Sequence, residues 1–302
     1  MQEKVTQLIE LFQADNPGCE AIALYQNGEM IIDHRFEKRP PRLIYSHTKS
    51  FISTLCGMVI DAGKLSLDDK LVDFFPEYDD KIIDPQVREI KLRHLLTMSS
   101  GFGKAFLMSG DRRSGEGFPD YPKYMLSKEM KYAPGKKFVY SNADTHMAGC
   151  MAERALGKSL YVYACENLFT KLGIGYPMWE MCPKGTAFGG SGLHLDILDM
   201  MKLGILYLNQ GVWDGQQILS SDWVKQAGRK QISTGEQDPW SSGYGYQFWT
   251  VDERTGAYRA DGAYGQLSIV LPDANAVLAT QCSEYNDMDK FFNLLLKTCI
   301  YE

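Results

Sequence analysis

The stretch YSHTKSFISTLCGMVIDAG, residues 45–63, combines a helical pattern of apolar side chains with a serine and a lysine near its start. Gly63 supplies a stop signal for the helix. The stretch therefore predicts a long helix that begins just after Tyr45. The apolar positions that keep the helical period are Phe51, Leu55, Met58, Val59 and Ala62.

Ser46 and Lys49 form the only Ser-x-x-Lys sequence of the chain. Because Ser46 sits where the helix begins, its hydroxyl can point into a cleft that the free N–H groups of the first turn also face. Lys49 lies on the same face one turn away and can contact Ser46 Oγ. A desolvated lysine can take the serine proton or relay it, so the pair predicts a nucleophile and its base. The alternative is a helix N-cap followed by a solvated lysine.

Strand-like segments lie towards both ends of the chain. An Asn27-Gly28 dipeptide predicts a hairpin near the N-terminus, because these residues tolerate the positive φ angles of a tight turn. Amphipathic helices are predicted to open and to close the chain, around residues 5–12 and 288–301. The predicted strands are residues 21–25, 30–35, 246–251, 266–271 and 276–282.

The middle of the chain, about residues 67–185, has helical patterns and long loops but no strand pattern. Within it, the segment 101–122 is too long for a plain connector, which indicates a mobile or functional loop. The predicted fold class is α+β, with an antiparallel sheet built from both termini, flanking helices and an inserted helical lobe. We expect one domain over residues 1–302. Its sheet lobe takes in about 1–66 and 186–302, its helical lobe about 67–185, and the site lies between the lobes.

Two further segments carry polar groups suited to a cleft. Tyr140 and Asn142 stand two residues apart just before a predicted helix, so the phenol and the amide can face the same space. Residues 260–266, ADGAYGQ, lead into a strand with glycines where the backbone comes close to another group. The plainer interpretations are an aromatic contact with an Asn N-cap, and a strand entry with a bulge.

Composition and motifs exclude several classes of protein. The chain has 302 residues, 44% hydrophobic and 23% charged, which is ordinary globular usage. The net charge is −6 without a cluster of basic residues, so no nucleic-acid partner is expected. There is no Walker A loop, GxGxxG, HExxH, EF-hand loop or GxSxG elbow, and no metal or cofactor is expected.

Cysteine and histidine usage points to a reducing compartment and leaves one alternative catalyst open. Seven cysteines without a CxxC pair suit reduced, buried thiols, and neither a secretory leader nor a membrane span is recognisable, so a cytoplasmic protein without a membrane partner is expected. Cys150 and His146 share a helix face, which packed core residues explain. The five histidines are dispersed, and a Ser-His-Asp triad can occur at any spacing.

Six segments in this order resemble the serine β-lactamase-related superfamily. The resemblance covers about residues 20 to 285 and is closest to class C-type penicillin-recognising enzymes, family VIII esterases and 6-aminohexanoate-dimer hydrolases. It implies a β-lactamase/transpeptidase-like fold. The segments are YSHTKS, KLRHLLTMSSG, PGKKFVYSNAD, SGLHLDILDMMKLGILYLNQGVWDGQQIL, SGYGYQFW and ADGAYGQLSIVLPD.

The resemblance also implies roles for individual residues. Ser46 would be the acylated nucleophile, Lys49 its proton partner, and Tyr140 the general base that becomes the acid for the leaving group. Asn142 would bind the substrate carbonyl or Lys49. The backbone N–H groups of Ser46 and of Ala263, which follows the third-motif Gly262, would form the oxyanion hole.

One departure from the superfamily pattern concerns the substrate. Relatives that recognise carboxylates carry Lys or His where this chain has Ala260, which is followed by Asp261. The resemblance therefore implies a serine hydrolase that cleaves small esters or amides through an acyl-enzyme. The alternatives are a β-lactamase or D-alanyl-D-alanine carboxypeptidase, and a catalytically silent penicillin-binding-like sensor.

Overall fold

A computed structural model describes residues 1–301 of the chain. A 3₁₀ turn, Tyr45–His47, precedes the second helix. The helices are α1 (Gln2–Asp15), α2 (Thr48–Asp61), α3 (Leu92–Leu96), α4 (Ser109–Arg113), α5 (Tyr121–Leu126), α6 (Asn142–Leu156), α7 (Leu160–Ala164), α8 (Ile197–Leu208), α9 (Ser221–Gly228) and α10 (Met288–Leu295). The strands are β1 (Cys19–Gln26), β2 (Glu29–Arg35), β3 (Arg42–Leu43), β4 (His194–Leu195), β5 (Val212–Trp213), β6 (Gln216–Gln217), β7 (Ile232–Ser233), β8 (Gly243–Tyr244), β9 (Trp249–Asp252), β10 (Ala257–Gly262), β11 (Gln266–Leu271) and β12 (Ala276–Cys282).

Eight strands form one antiparallel sheet in the order β2-β1-β12-β11-β10-β9-β8-β7. The N-terminal hairpin therefore joins the sheet through β1 and β12, with Ile22 opposite Thr280. All other strands of this sheet come from residues 232–282. The predicted α+β class, with an antiparallel sheet built from both termini and flanked by helices, is confirmed.

Both faces of the sheet are covered, as the alternation along β12 shows. Val277 and Ala279 belong to the larger core, which α2 and α8 share, whereas Leu278 belongs to the smaller core under α1 and α10. Successive side chains of a strand point to opposite faces, so a central strand buried on both sides reads as a continuous apolar run. Every residue of β12 is buried accordingly.

Helix α2 is buried on nearly all sides because it lies between the sheet and the helices of the middle region. All residues from Thr48 to Val59 are buried, and α2 packs against α6. Gly57 also lets α9 approach α2, because a Cβ on Gly57 would lie 2.6 Å from the ring of Trp223. The sequence 45–63 therefore becomes the central helix, and Ser46 lies in the turn that leads into it.

Two sequence expectations for the sheet differ from the structure. The strand predicted over 246–251 begins only at Trp249, because Gln247 adopts a left-handed conformation with φ 65°. Strand β10 was not expected at all. Within residues 1–301, no helix has both the length and the apolar composition needed to cross a membrane.

Candidate active site

Lys49 lies in the first turn of α2 and joins three parts of the chain. Its Nζ is 2.9 Å from Ser46 Oγ, 2.6 Å from Asn142 Oδ1 and 2.6 Å from the carbonyl oxygen of Gly190. The side chain is 1% exposed. Burial, with a smaller contribution from the positive charge of Arg112, lowers the pKa of Lys49 to about 7. A useful fraction of this amine is therefore neutral at neutral pH.

The partners of Lys49 also fix the direction of its lone pair. A neutral amine has two N–H donors and one lone pair, whereas the carbonyl oxygens of Asn142 and Gly190 can only accept. These oxygens take both donors, and the lone pair is left to face Ser46 Oγ. The neutral form of Lys49 is thus oriented to accept the serine proton.

Tyr140 lies beside Ser46 and Lys49, two residues before the first residue of α6. The ring centroid of Tyr140 is 4.9 Å from Lys49 Nζ, and the ring stacks on Trp249 at 5.8 Å. Burial raises the pKa of the Tyr140 phenol, an effect that outweighs the opposing hydrogen bond with Ser46. The phenol is therefore protonated at neutral pH, so it is suited to donate a proton rather than to take one from Ser46.

Both polar atoms of the Asn142 side-chain amide make hydrogen bonds. Its Oδ1 accepts from Lys49, and its Nδ2 donates to the carbonyl of Leu107 at 3.1 Å. Leu107 belongs to the segment 101–122, which contains α4 and is partly buried through Phe106 and Leu107. This segment, predicted to be mobile or functional, therefore forms a wall of the site and orients the Asn142 amide.

The end of β10 lies directly against the turn that carries Ser46. A Cβ on Gly262 would be 2.2 Å from the carbonyl oxygen of Ile44 and 3.2 Å from the backbone nitrogen of His47, so only glycine permits this contact. Within the described residues, neither the Ser46 N–H nor the Ala263 N–H donates a hydrogen bond. Two unused donors on touching segments are what an oxyanion hole requires.

Two aromatic residues that the sequence did not single out hold these segments together. Tyr45 and Tyr264 both have positive φ angles, 49° and 65°, in the left-handed region that costs free energy for residues other than glycine. Their rings meet edge to face at 5.1 Å. Tyr45 precedes Ser46 and Tyr264 follows Ala263, so this contact links the two segments that carry the proposed oxyanion donors.

Gly190 was also missed by sequence reasoning. A Cβ on Gly190 would lie 2.5 Å from the Cβ of Asn142, so the glycine lets its carbonyl approach Lys49 across the start of α6. The only signal was the Gly189-Gly190 dipeptide, which did not stand out among other turn sequences.

Ala260 is covered by protein, with 2% of its surface exposed, and it belongs to the larger core. The neighbouring side chains of β10 carry charge instead. Arg259 Nε donates to Asp261 Oδ2 at 2.8 Å, and the Arg259 side chain is 3% exposed. The part that Ala260 plays towards a substrate stays a prediction, whereas Arg259 is a buried charge that sequence reasoning missed.

The structure does not support the alternative of a histidine triad at Ser46. His47 is buried and its Nε2 contacts Ser268 Oγ at 2.9 Å, while its Nδ1 has no hydrogen-bond partner within residues 1–301. His146 contacts Cys150 Sγ at 3.6 Å in the core, as a packed pair. In the described part of the chain, no group of three or more histidine, cysteine or acidic side chains could hold a metal ion.

The chain is similar to known proteins over most of its length. A family model described as Beta-lactamase matches residues 7–292. The chain is 23% identical over 292 residues to the 6-aminohexanoate-dimer hydrolase of Paenarthrobacter ureafaciens, covering 90% of this chain and 72% of that protein. It is 29% identical over 234 residues to the lovastatin esterase of Penicillium rubens, covering 58% of each.

The fold also matches solved structures. EstCE1, a hydrolase with promiscuous acyltransferase activity, superposes with a TM-score of 0.77 at 17% identity, covering 100% of this chain and 99% of that one. Because the family model spans nearly the whole sequence, the chain is a hydrolase that belongs to the Beta-lactamase family.

Proposed function

We propose that the protein is a serine hydrolase that cleaves small esters or amides through an acyl-enzyme on Ser46. The observation that carries this proposal is the 2.9 Å contact between Ser46 Oγ and a buried lysine with a lowered pKa. A serine hydroxyl is a weak nucleophile until a neighbouring base takes its proton. Lys49 is such a base.

Acylation would begin when neutral Lys49 takes the Ser46 proton and Oγ attacks the substrate carbonyl carbon. The oxygen of the tetrahedral intermediate would accept hydrogen bonds from the N–H groups of Ser46 and Ala263, and loss of one such donor costs about 2.7–4 kcal/mol. As the bond to the leaving group breaks, Tyr140 would give that group its proton and regain one from Lys49. Asn142 would hold Lys49 in place through its amide oxygen.

Deacylation would use the same groups in reverse. Water attacks the acyl carbon, its proton passes to Lys49 by way of Tyr140, and the oxyanion hole again binds the carbonyl oxygen. Collapse of the intermediate breaks the bond to Ser46 Oγ, which takes back a proton from Lys49. The site returns to its starting protonation state, so the cycle is complete without a metal or cofactor.

Neutral esters are the preferred substrate class in this proposal, ahead of penicillins and D-alanyl-D-alanine peptides. Position 260 carries no cation, and a carboxylate buried without a partner pays a desolvation cost. The name of one similar enzyme, the lovastatin esterase, is compatible with ester cleavage.

We place the protein in the cytoplasm. All seven cysteines are buried and free. Reduced thiols in this number are typical of a reducing compartment, since oxidising compartments favour disulfides.

A fluorophosphonate probe and a chromogenic butyrate ester test the nucleophile. Mass spectrometry should find the label on Ser46, and Ser46→Ala should abolish both labelling and turnover. Ser66→Ala, an exposed serine in the loop after α2, is the matched control and should keep both. Label on another residue would contradict the assignment. A single stoichiometric burst of product without turnover would instead support the silent sensor.

A further inference from the structure

The Arg259–Asp261 pair at the end of β10 is asymmetric in its exposure. The Arg259 side chain is 3% exposed and that of Asp261 is 21% exposed. The Arg259 guanidinium lies 3.8 Å over the ring of Trp240 and donates to the carbonyl of Trp240. The carboxylate of Asp261 is therefore partly accessible, whereas the guanidinium of Arg259 is buried.

The partly exposed carboxylate is connected to Tyr140 through its partner Arg259 and the ring of Trp249. The Arg259 guanidinium is 5.5 Å from the ring centroid of Trp249, which stacks on Tyr140. The negative charge of Asp261 also contributes to raising the pKa of Tyr140. Asp261 stands two residues before Ala263, so it is close along the chain to the proposed oxyanion donor.

Tyr140 gives its proton to the leaving group in the proposed function, so a side chain next to Tyr140 faces the leaving group. Half-buried aromatic rings surround the same space, those of Phe138, Tyr140 and Trp249. A carboxylate beside aromatic rings attracts cations, through charge and through the negative faces of the rings. The other arginine near the site, Arg112, stacks on Phe188 and pairs with Glu180 in a different wall.

We infer that Asp261 is a specificity-determining residue that selects esters or amides whose leaving group carries an ammonium group and rejects those whose leaving group carries a carboxylate. This inference rests on the proposed function, because it needs hydrolysis at Ser46. It concerns only the leaving group of the substrate. The acyl group would contact the segment 101–122.

Three butyrate esters that share one acyl group test the inference. Their leaving alcohols are 2-(trimethylammonio)ethanol, its neutral isostere 3,3-dimethylbutanol, and 3-hydroxypropionate. We expect kcat/KM for the cationic ester to exceed that of the neutral ester by about tenfold, which is about 1.4 kcal/mol. The anionic ester should be the poorest substrate by a similar factor.

Variants identify the group responsible. Asp261→Asn should remove the preference for the cationic ester and leave the neutral ester within about threefold. Asp252→Asn is the matched control, because Asp252 pairs with Arg254 on the neighbouring strand β9 outside the site, and it should keep the full ranking. Since Asp261→Asn leaves Arg259 without its partner, a double variant with Arg259→Met and Asp261→Asn removes both charges and should also lose the ranking.

The possible outcomes separate the two proposals. Hydrolysis of the neutral ester by the unmodified protein, with no preference for the cationic one, would overturn the inference and keep the proposed function. A preference that survives in both Asp261 variants would overturn the role of Asp261. Absence of hydrolysis for all three esters, together with no label on Ser46, would overturn the proposed function and the inference with it.

Discussion

Among the individual residues, Lys49 shows most directly how burial creates reactivity. Its three partners are a hydroxyl and two carbonyl oxygens, with no carboxylate among them. An ammonium ion in that position loses its hydration without gaining an opposite charge, and its pKa falls to about 7 as a result. In the proposed reaction, the charge state of this one side chain controls whether Ser46 can react.

The first prediction is a pH dependence of ester hydrolysis. Because the neutral amine is the active form, kcat/KM should rise tenfold per pH unit below about 7 and level off above it. Lys49→Met should lower the plateau by about 10²–10⁴ and remove the slope. Rates from pH 5.5 to 8.5 measure this, and an unchanged slope in Lys49→Met would assign the pKa to another group.

The second prediction concerns Asp144, a buried carboxyl group that the proposed reaction does not use. Its hydrogen-bond partner is Ser100, whose Oγ donates at 2.8 Å, and burial raises the pKa of Asp144 to about 7. The folded protein keeps a proton that the unfolded chain releases near pH 4. Stability is therefore lost as the pH rises from about 4 to 7, by on the order of 4 kcal/mol in total.

The asparagine of the Asp144→Asn variant cannot ionise. The free energy of unfolding of this variant should therefore exceed that of the unmodified protein at pH 8, and the excess should be smaller at pH 5. Urea unfolding at pH 5, 6, 7 and 8 should show the difference growing up to about pH 7 and then staying constant. Asp273→Asn, an exposed control, should show no such trend. A difference that is equal at all four pH values would contradict the assignment to Asp144.

Sequence reasoning at this scale works for neighbours and misses distant partners that contribute only a backbone group. The spacing of three residues predicts that Lys49 can contact Ser46, and the structure places them 2.9 Å apart. The carbonyl of Gly190, 141 residues away from Lys49, carries no sequence signal because any residue has a carbonyl. The roles of Ser46, Lys49 and Tyr140 in catalysis stay predictions.

At the scale of secondary structure, β10 shows why charged strands are missed. Residues 255–262 read TGAYRADG, with glycines and charged residues that are typical of a loop. The charges of Arg259 and Asp261 satisfy each other on one face of the strand. Pairing with β11, from Tyr258 opposite Val270 to Gly262 opposite Gln266, supplies the rest of the stabilisation. Neither interaction is visible in the periodicity of a single sequence.

The third prediction is that Gly262→Ala separates the two elements that meet at the oxyanion hole. The new Cβ would lie 2.2 Å from the Ile44 carbonyl oxygen and push β10 off the turn that carries Ser46. We expect kcat to fall by about 10²–10³, the usual cost of one lost oxyanion donor. Steady-state kinetics on a neutral ester measure this, with the melting temperature recorded alongside.

Gly175→Ala is the control for that change, because nothing lies within 4 Å of a Cβ there and the residue has no positive φ angle. Its activity should stay unchanged. If Gly262→Ala retained full kcat while folded, the contact between β10 and the Ser46 turn would not position an oxyanion donor.

At the scale of the whole molecule, one core unites both regions of the chain. The larger core contains Leu55 of α2, Met147 of α6 and Val277 of β12. Helix α2 packs against the sheet and against the middle helices. We therefore expect these two regions to unfold together. The sequence predicts the fold class at this scale, since strand patterns at both ends of a helical middle region indicate one sheet assembled from the two termini.

The fourth prediction follows from that shared core. Leu55→Ala should lower the free energy of unfolding by about 2–5 kcal/mol, the range for a buried leucine truncated to alanine. Circular dichroism and tryptophan fluorescence should shift together in urea. Ile83→Ala, 63% exposed, should cost less than about 0.5 kcal/mol. Two separate transitions would show that the regions fold independently.

The pairing of β1 with β12 has a consequence for how the protein is made in the cell. Strand β1 leaves the ribosome early, but its partner, with Thr280 opposite Ile22, leaves it nearly last. At about 5–20 residues per second, roughly 250 intervening residues take on the order of 10–50 seconds to translate. During that time, β1 has only the hairpin partner β2, and its other edge is open to association with any nearby strand. The nascent chain should therefore depend on chaperones that shield this edge until synthesis is nearly finished.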